Sequence, residues 1–415
     1  MAMPESSLRE LHRDHLPPAA RGPALVAAEP PIEAAFPESV PRCVLRLSAG
    51  GRQINSVLTG FAMLARAGRI RLEFDLRPIE PPLPSLPWHI RDKACVHIEL
   101  EVEGGGSAAI DPHDSWEIDE QLLARHPLYF KRSLLPNLML LRGGERLRPL
   151  GLVHDVRTDF ANTLELRREL SGAGSIAQRG RMLVRWLLAA AGADRLGMIQ
   201  RTRWSQMHAA PARGQDPRVL LMAGLWDPAL VPEDAPAKRE EWRRLNGQRV
   251  ECIRALRREF GDRFHGGVKA SEFARREYPD VVLDDPLATS RPEFLRQVRT
   301  HPICVTSTGL HGSNGGRLAE FVSFSRAIVT EPLQYAVQGD FAAGSHFLEY
   351  RDPDSCVAQV GRLFADSDAR ESMMRRNHDY YRQWLHPERL AMRLIALTCA
   401  TARTGQSRAV IASKR

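Results

Sequence analysis

Between two apolar runs, HPICVT and RAIVT, the chain reads STGLHGSNGGRLAEF over residues 307–321. Several glycines here let backbone N–H groups approach an anion with no Cβ in the way. Ser313 or Asn314 can cap a following helix, whose positive end adds to the attraction. Glu320, one turn into that helix, can accept hydrogen bonds from ribose hydroxyls. Thr308, Gly309, Ser313, Asn314, Gly315, Gly316 and Glu320 together make a nucleotide-diphosphate cradle. The same residues would also serve as an ordinary strand-to-helix loop with a surface glutamate.

A second group stands far upstream. In AAIDPHDSWEI, Asp111, His113 and Asp114 follow an apolar strand, where one of them can act as the general base for a hydroxyl acceptor. The same residue types also build turns and helix caps, and the acid spacing, DxxD, resembles a metal-binding acidic pair only loosely. Downstream, YFKRS offers Lys131 and Arg132 to a phosphate or an anionic acceptor, and RFHGGVK offers Lys269 after two glycines. Motifs for other chemistries are missing: there is no GxSxG, no GxxxxGK[ST] and no early dinucleotide fingerprint.

Two alternating α/β halves must hold these groups. Residues 1–40 read as a loose leader with one short helix, and 41–205 as an N-terminal α/β domain on the acceptor side. That domain contains the strand CVLRLS, a helix at INSVLTGFAMLARAG, the strand RLEFDLRPI and two strands joined by the turn EGGG. Helices follow at EIDEQLLARH and RMLVRWLLAAAG. Residues 206–217, QMHAAPARGQDP, form the linker, and 218–385 a C-terminal nucleotide-sugar-binding domain that opens on the buried strand RVLLMAGLW. Its strand–helix alternation predicts an open, mostly parallel sheet with helices on both faces. Residues 386–415 make a terminal helix and tail. The fold class is α/β, two Rossmann-like domains facing each other across a cleft.

Composition narrows the partners. At 415 residues with 43% hydrophobic and 26% charged residues, the chain suits two ordinary cores. The net charge of +8 favours anionic ligands. Only five of the 58 basic residues are Lys, and the Arg residues alternate with acids, so nucleic acid is not an expected partner. Six scattered cysteines without CxxC argue for reduced thiols, a cytoplasmic setting and no metal site. The aromatic-basic stretch MMRRNHDYYRQWL leaves room for peripheral contact with the inner membrane face.

Residues 303–390 resemble the C-terminal half of GT-B glycosyltransferases of the family 1 and 4 type. The resemblance rests on the order strand ICVT, loop STGLHGSNGG, helix RLAEF with its glutamate, strand RAIVTEP, then HFLEYRDPDSCVAQVGRLFADSDARESMMRRN. It implies metal-independent transfer of a sugar from a nucleotide-activated donor, with no cofactor beyond that co-substrate, to a glycan, lipid-linked or other hydroxyl acceptor. Arg249 or Lys269 would balance the departing diphosphate, and Glu331 would join the donor-binding set. Asp111, His113 or Asp114 would be the base of an inverting enzyme. Retaining members carry two glutamates separated by seven residues, and here the first would fall on Gly312. A non-catalytic regulator of a glycan pathway, or an epimerase or hydrolase acting on the nucleotide-sugar, would use the same donor site.

Overall fold

The structure, a computed structural model, describes residues 29–48, 54–77, 97–141, 146–160, 162–171, 175–192, 202–211 and 214–413. The loop PPLPSLPW, Cys95 and Lys93 lie outside them. The described residues hold twelve strands, most of them on β-branched and apolar runs: β1 (Arg42–Ser48), β2 (Arg71–Arg77), β3 (Ile98–Val102), β4 (Gly106–Asp111), β5 (Leu128–Lys131) and β6 (Leu147–Pro149) in the first half. The second half holds β7 (Val219–Ala223), β8 (Phe264–Lys269), β9 (Val282–Leu283), β10 (Ile303–Thr306), β11 (Ala327–Thr330) and β12 (Leu348–Glu349).

They form two six-stranded sheets among the described residues, in the orders β2-β1-β3-β4-β5-β6 and β12-β11-β10-β7-β8-β9. The second is parallel throughout. Its order is the doubly wound one, in which connections from the central strand run first to one side and then to the other. The first sheet is mixed, because β3 pairs antiparallel with both β1 and β4. The reason is local: the EGGG turn is too short for a crossover and folds β4 straight back on β3. Gly104 and Gly106 there have φ of 68° and 86°.

FHGGVK is a strand. It is β8, paired with β7 and β9, and its two glycines are a packing requirement. A Cβ on Gly266 would stand 2.0 Å from the Leu221 carbonyl oxygen of β7. Because that neighbour is backbone, Gly266→Ala is expected to cost about 3 kcal/mol, read as a lowered urea midpoint with an unchanged slope.

Two cores result. One lies under the second sheet, where Val219, Leu221, Val305 and Val329 meet Val250, Ile253 and Leu256 of the Pro236–Phe260 helix and Val360 and Leu363 of the Pro353–Ala365 helix. The other lies on the first sheet and is finished by a late segment. The Pro387–Ser413 helix returns to the first half and inserts Leu390, Leu394 and Ile395 beside Leu45, Phe61 and Leu100. Gly60 permits that crossing, since a Cβ there would stand 1.9 Å from the Pro387 carbonyl oxygen. The buried Arg393 adds a bidentate pair with Glu29 and a 3.0 Å bond to the Pro149 carbonyl. The linker stretch is fastened to the second half: Ala209 N–H donates to Ser323 O at 3.2 Å, and Ser325 Oγ to Ala209 O at 2.6 Å. Cys43, Cys252, Cys304, Cys356 and Cys399 are buried free thiols. Among the described residues, no helix is long and apolar enough to cross a membrane.

Candidate active site between the two sheets

Strands β7 and β10 are neighbours whose onward connections leave in opposite directions, and ligands of doubly wound sheets bind beyond the carboxyl ends of such a pair. Arg249 bridges those ends. From the Pro236–Phe260 helix its Nε donates to Ser307 Oγ (2.8 Å), Nη1 to Gly224 O (2.9 Å) and Nη2 to Thr308 O (3.1 Å). Its guanidinium lies 4.4 Å over the Trp226 ring. Burial, helped by the charge of Arg317, lowers its pKa to about 10, which leaves it a cation at neutral pH. Glu331 braces the same loop by accepting from the Thr308 N–H and, at 2.7 Å, from Thr308 Oγ. It is therefore a support of the loop, with its carboxylate already engaged.

The loop turns through two left-handed residues, His311 (φ 59°) and Gly312 (φ 68°). Gly309 N–H closes it on Ser313 O at 2.8 Å. Neither Ser313 nor Asn314 caps the next helix, contrary to expectation. The cap position of the Gly316–Ser323 helix falls on Gly315, which has no side chain to accept the first N–H groups. A Cβ on Gly315 would meet only Ser307 O, at 3.6 Å, and one on Gly316 only Val153 O, at 3.9 Å. These two glycines are thus not demanded by packing, since a Cβ at either would make only an ordinary contact. Arg317 follows them. Its Nη1 is buried without a hydrogen-bond partner among the described residues. Burial lowers its pKa; nearby Arg291 acts in the same direction and Glu320 against it. Glu320 itself is buried and paired with Arg291 at 2.7 Å.

On the first sheet, Asp111 ends β4 and is buried. Its Oδ1 accepts from His113 N–H (2.9 Å) and His113 Nδ1 (2.8 Å), and its Oδ2 from Tyr129 OH (2.7 Å) and Lys131 Nζ (2.7 Å). Burial works to raise its pKa, but the Lys131 charge and the His113 bonds outweigh it and hold the carboxyl well below the usual range. Four donors leave Asp111 no vacancy for a substrate proton. It orients His113. Because Asp111 only accepts, the proton between the two groups is on His113 Nδ1, and the ring is held with Nε2 turned away from Asp111. That Nε2 is buried with no partner among the described residues. Lys131 is fully buried, its charge spent on Asp111, so it is not offered to an external anion.

Asp114 pairs with Arg132, and Arg132 Nη2 donates at 3.1 Å to Asn314 O, so the two predicted groups meet across the gap between the sheets. Ala336 N–H to Leu134 O, 2.8 Å, ties the same seam. Lys269 stands apart: it is exposed at the end of β8, two strands from β10.

His154, in GLVHDVR, is a contributor that residue patterns did not single out. It is buried, both ring nitrogens lack partners among the described residues, and burial pushes its pKa down to about 4, with Glu320 and Arg291 among the charges it feels. Ser133 Oγ, Asn314 Oδ1 and both side-chain polar atoms of Gln338 are likewise buried and unpartnered. Arg317 could have been found as the basic residue directly after the Gly–Gly pair. His154 had no such signal, since the β6 loop meets the Glu320 helix only in three dimensions.

No family model matches the chain, and no curated protein does. Solved structures do. The C-terminal domain of a glycosyl transferase group 1 family protein (LpcC) from Francisella tularensis aligns with 44% of this chain and 96% of its own, at 13% identity and TM-score 0.29. An alpha1,3-fucosyltransferase covers 83% of this chain and 85% of its own, at 10% identity and TM-score 0.34. A putative UDP-N-acetylglucosamine 2-epimerase from Listeria monocytogenes covers 80% and 68%, at 11% and 0.30. Values this low say nothing of chemistry. The strand orders, the switch between β7 and β10 and the facing loops are what define the architecture, two α/β units opposed across a cleft in the manner of the GT-B fold.

Proposed function

We propose that the chain is a glycosyltransferase that takes a sugar from a nucleotide-activated donor and inverts its anomeric carbon. One observation carries this reading: Arg132 of the first sheet donates to Asn314 O in the loop that leads to Gly315 and Gly316, and each side of that contact holds buried polar atoms without partners among the described residues, His113 Nε2 and Ser133 Oγ on one side and Asn314 Oδ1 and Arg317 Nη1 on the other. Buried polar groups without partners are rare enough in proteins to require a ligand or water. The donor diphosphate lies on Gly315 and Gly316, with Arg317 and Arg249 meeting the charge that grows on it as the glycosidic bond breaks. His113 Nε2 takes the acceptor hydroxyl proton while that oxygen attacks the anomeric carbon. Asp111 fixes the ring; Glu320 stands one turn into the helix, beside the ribose.

The test is thermal stability against a panel of nucleoside diphosphates. A ligand at about 100 times its Kd stabilises by about 2.7 kcal/mol, several degrees. Arg317→Ala and Gly316→Val are expected to abolish the shift while their ligand-free melting points stay within about 2 °C of the parent. No shift with any diphosphate would remove the donor site. Donor turnover that needs no acceptor would replace transfer by epimerisation or hydrolysis.

A further inference from the structure

The Ile176–Ala190 helix, IAQRGRMLVRWLLAA, has apolar residues on two opposite faces. One face packs inward: Ala189 is buried, Met182 and Trp186 half-buried, and Trp186 Nε1 donates to Asn162 O at 3.2 Å. At 3.6 residues per turn, Ile176, Leu183, Val184 and Leu187 fall on the other face. They are exposed at 87%, 42%, 55% and 52%, and with Leu188 at 39% they account for five of the eight large exposed apolar side chains among the described residues. Arg179 borders this face on one side and Arg181 on the other; both are exposed, and the helix contains no acidic residue. Its start is fixed locally by a capping box, Gln178 N–H to Ser175 Oγ at 3.2 Å and Ser175 N–H to Gln178 Oε1 at 3.1 Å. Arg203 Nη2 holds its far end through Ala189 O at 3.0 Å. The helix is therefore firmly mounted with an apolar stripe turned outward.

We propose that this helix docks the protein on a phospholipid surface with anionic headgroups. An apolar stripe between arginines matches the boundary between acyl chains and anionic headgroups, where a helix lies in the plane with its apolar face down. At 15 residues, about 22 Å, it is too short to span a bilayer and lies on it. A second copy fits poorly, because a two-fold contact through this stripe would bring the same arginines together. The inference stands apart from the proposed chemistry and would hold for a protein of any activity.

Full-length protein is sedimented with phosphatidylcholine vesicles and with vesicles that also contain phosphatidylglycerol. Binding is expected only to the anionic vesicles and to weaken with added salt. Leu183→Glu/Leu187→Glu should lower the apparent affinity on the order of tenfold or more, with an unchanged melting point because both positions are exposed. Absence of binding to the anionic vesicles, or equal binding by the double variant, overturns the proposal. So does wild-type self-association in the ultracentrifuge that the double variant abolishes while no vesicle binding is seen; the stripe is then a contact between copies.

Discussion

His113→Ala is expected to lower kcat for glycosyl transfer by roughly 10²- to 10⁴-fold, the span of a lost general base, while the stabilisation given by the nucleoside diphosphate stays as in the parent. The two readouts separate because the imidazole and the diphosphate cradle sit on different sheets. His113 follows β4, and the cradle follows β10. Among the described residues its Nε2 has no partner, so the side-chain bond that the substitution breaks there is the 2.8 Å contact to Asp111. Single-turnover and steady-state rates with a saturating donor measure it. A variant that keeps kcat and raises only KM for the acceptor would make His113 a binding contact and leave the transfer without an assigned base.

Asp111→Asn is expected to cost about 3–5 kcal/mol of stability, the usual consequence of leaving one half of a buried ion pair uncompensated. The stranded group would be Lys131, whose side chain is 1% exposed. Urea unfolding followed by fluorescence gives the loss directly. Asp111→Asn/Lys131→Met should recover most of it, because removing both charges removes the desolvation penalty. Activity should not recover with it, since Asn can turn its amide towards Nδ1 and release the proton position that Asp111 holds. The acid limb carries the same information. The folded pKa of Asp111 is depressed, so its contribution is present above the unfolded value of about 3.9. It is lost as pH falls from there towards the folded value. The double variant should therefore lose less stability than the parent below about pH 4.

Elements with strong local signatures were legible in the residues. Apolar runs bounded by turn signals marked β1, β7, β10 and β11, and the glycine turn marked the β3–β4 hairpin. β8 was not legible, because FHGGVK contains the residues that usually end strands. What puts glycine there is the backbone of β7 pressing against it, and such a neighbour has no trace in the local sequence. The site divides the same way. The Ser307–Gly316 loop and the DPHD turn could be picked out by residue type, but the division of labour inside DPHD could not. That Asp111 faces four donors, while His113 Nε2 faces none among the described residues, depends for Asp111 on Tyr129 and Lys131 from β5. Helix Ile176–Ala190 was legible as a helix, whereas its outward apolar face became apparent only once its packed face was known.

The returning Pro387–Ser413 helix has a temporal meaning. Leu390, Leu394 and Ile395 belong to the core of the first sheet, yet they leave the ribosome long after β6 has been made. At about 5–20 residues per second, the roughly 240 residues between them take about 12 to 50 seconds to synthesise. For that interval the nascent first half carries an open apolar face over Leu45, Phe61 and Leu100. In the second half, the face covered by the Pro236–Phe260 and Pro353–Ala365 helices is built by its own strands and helices and can close sooner after its strands emerge. The two units are thus coupled at birth: the half made first is finished last, and a chaperone that covers apolar surface has its longest opportunity on the half that carries His113.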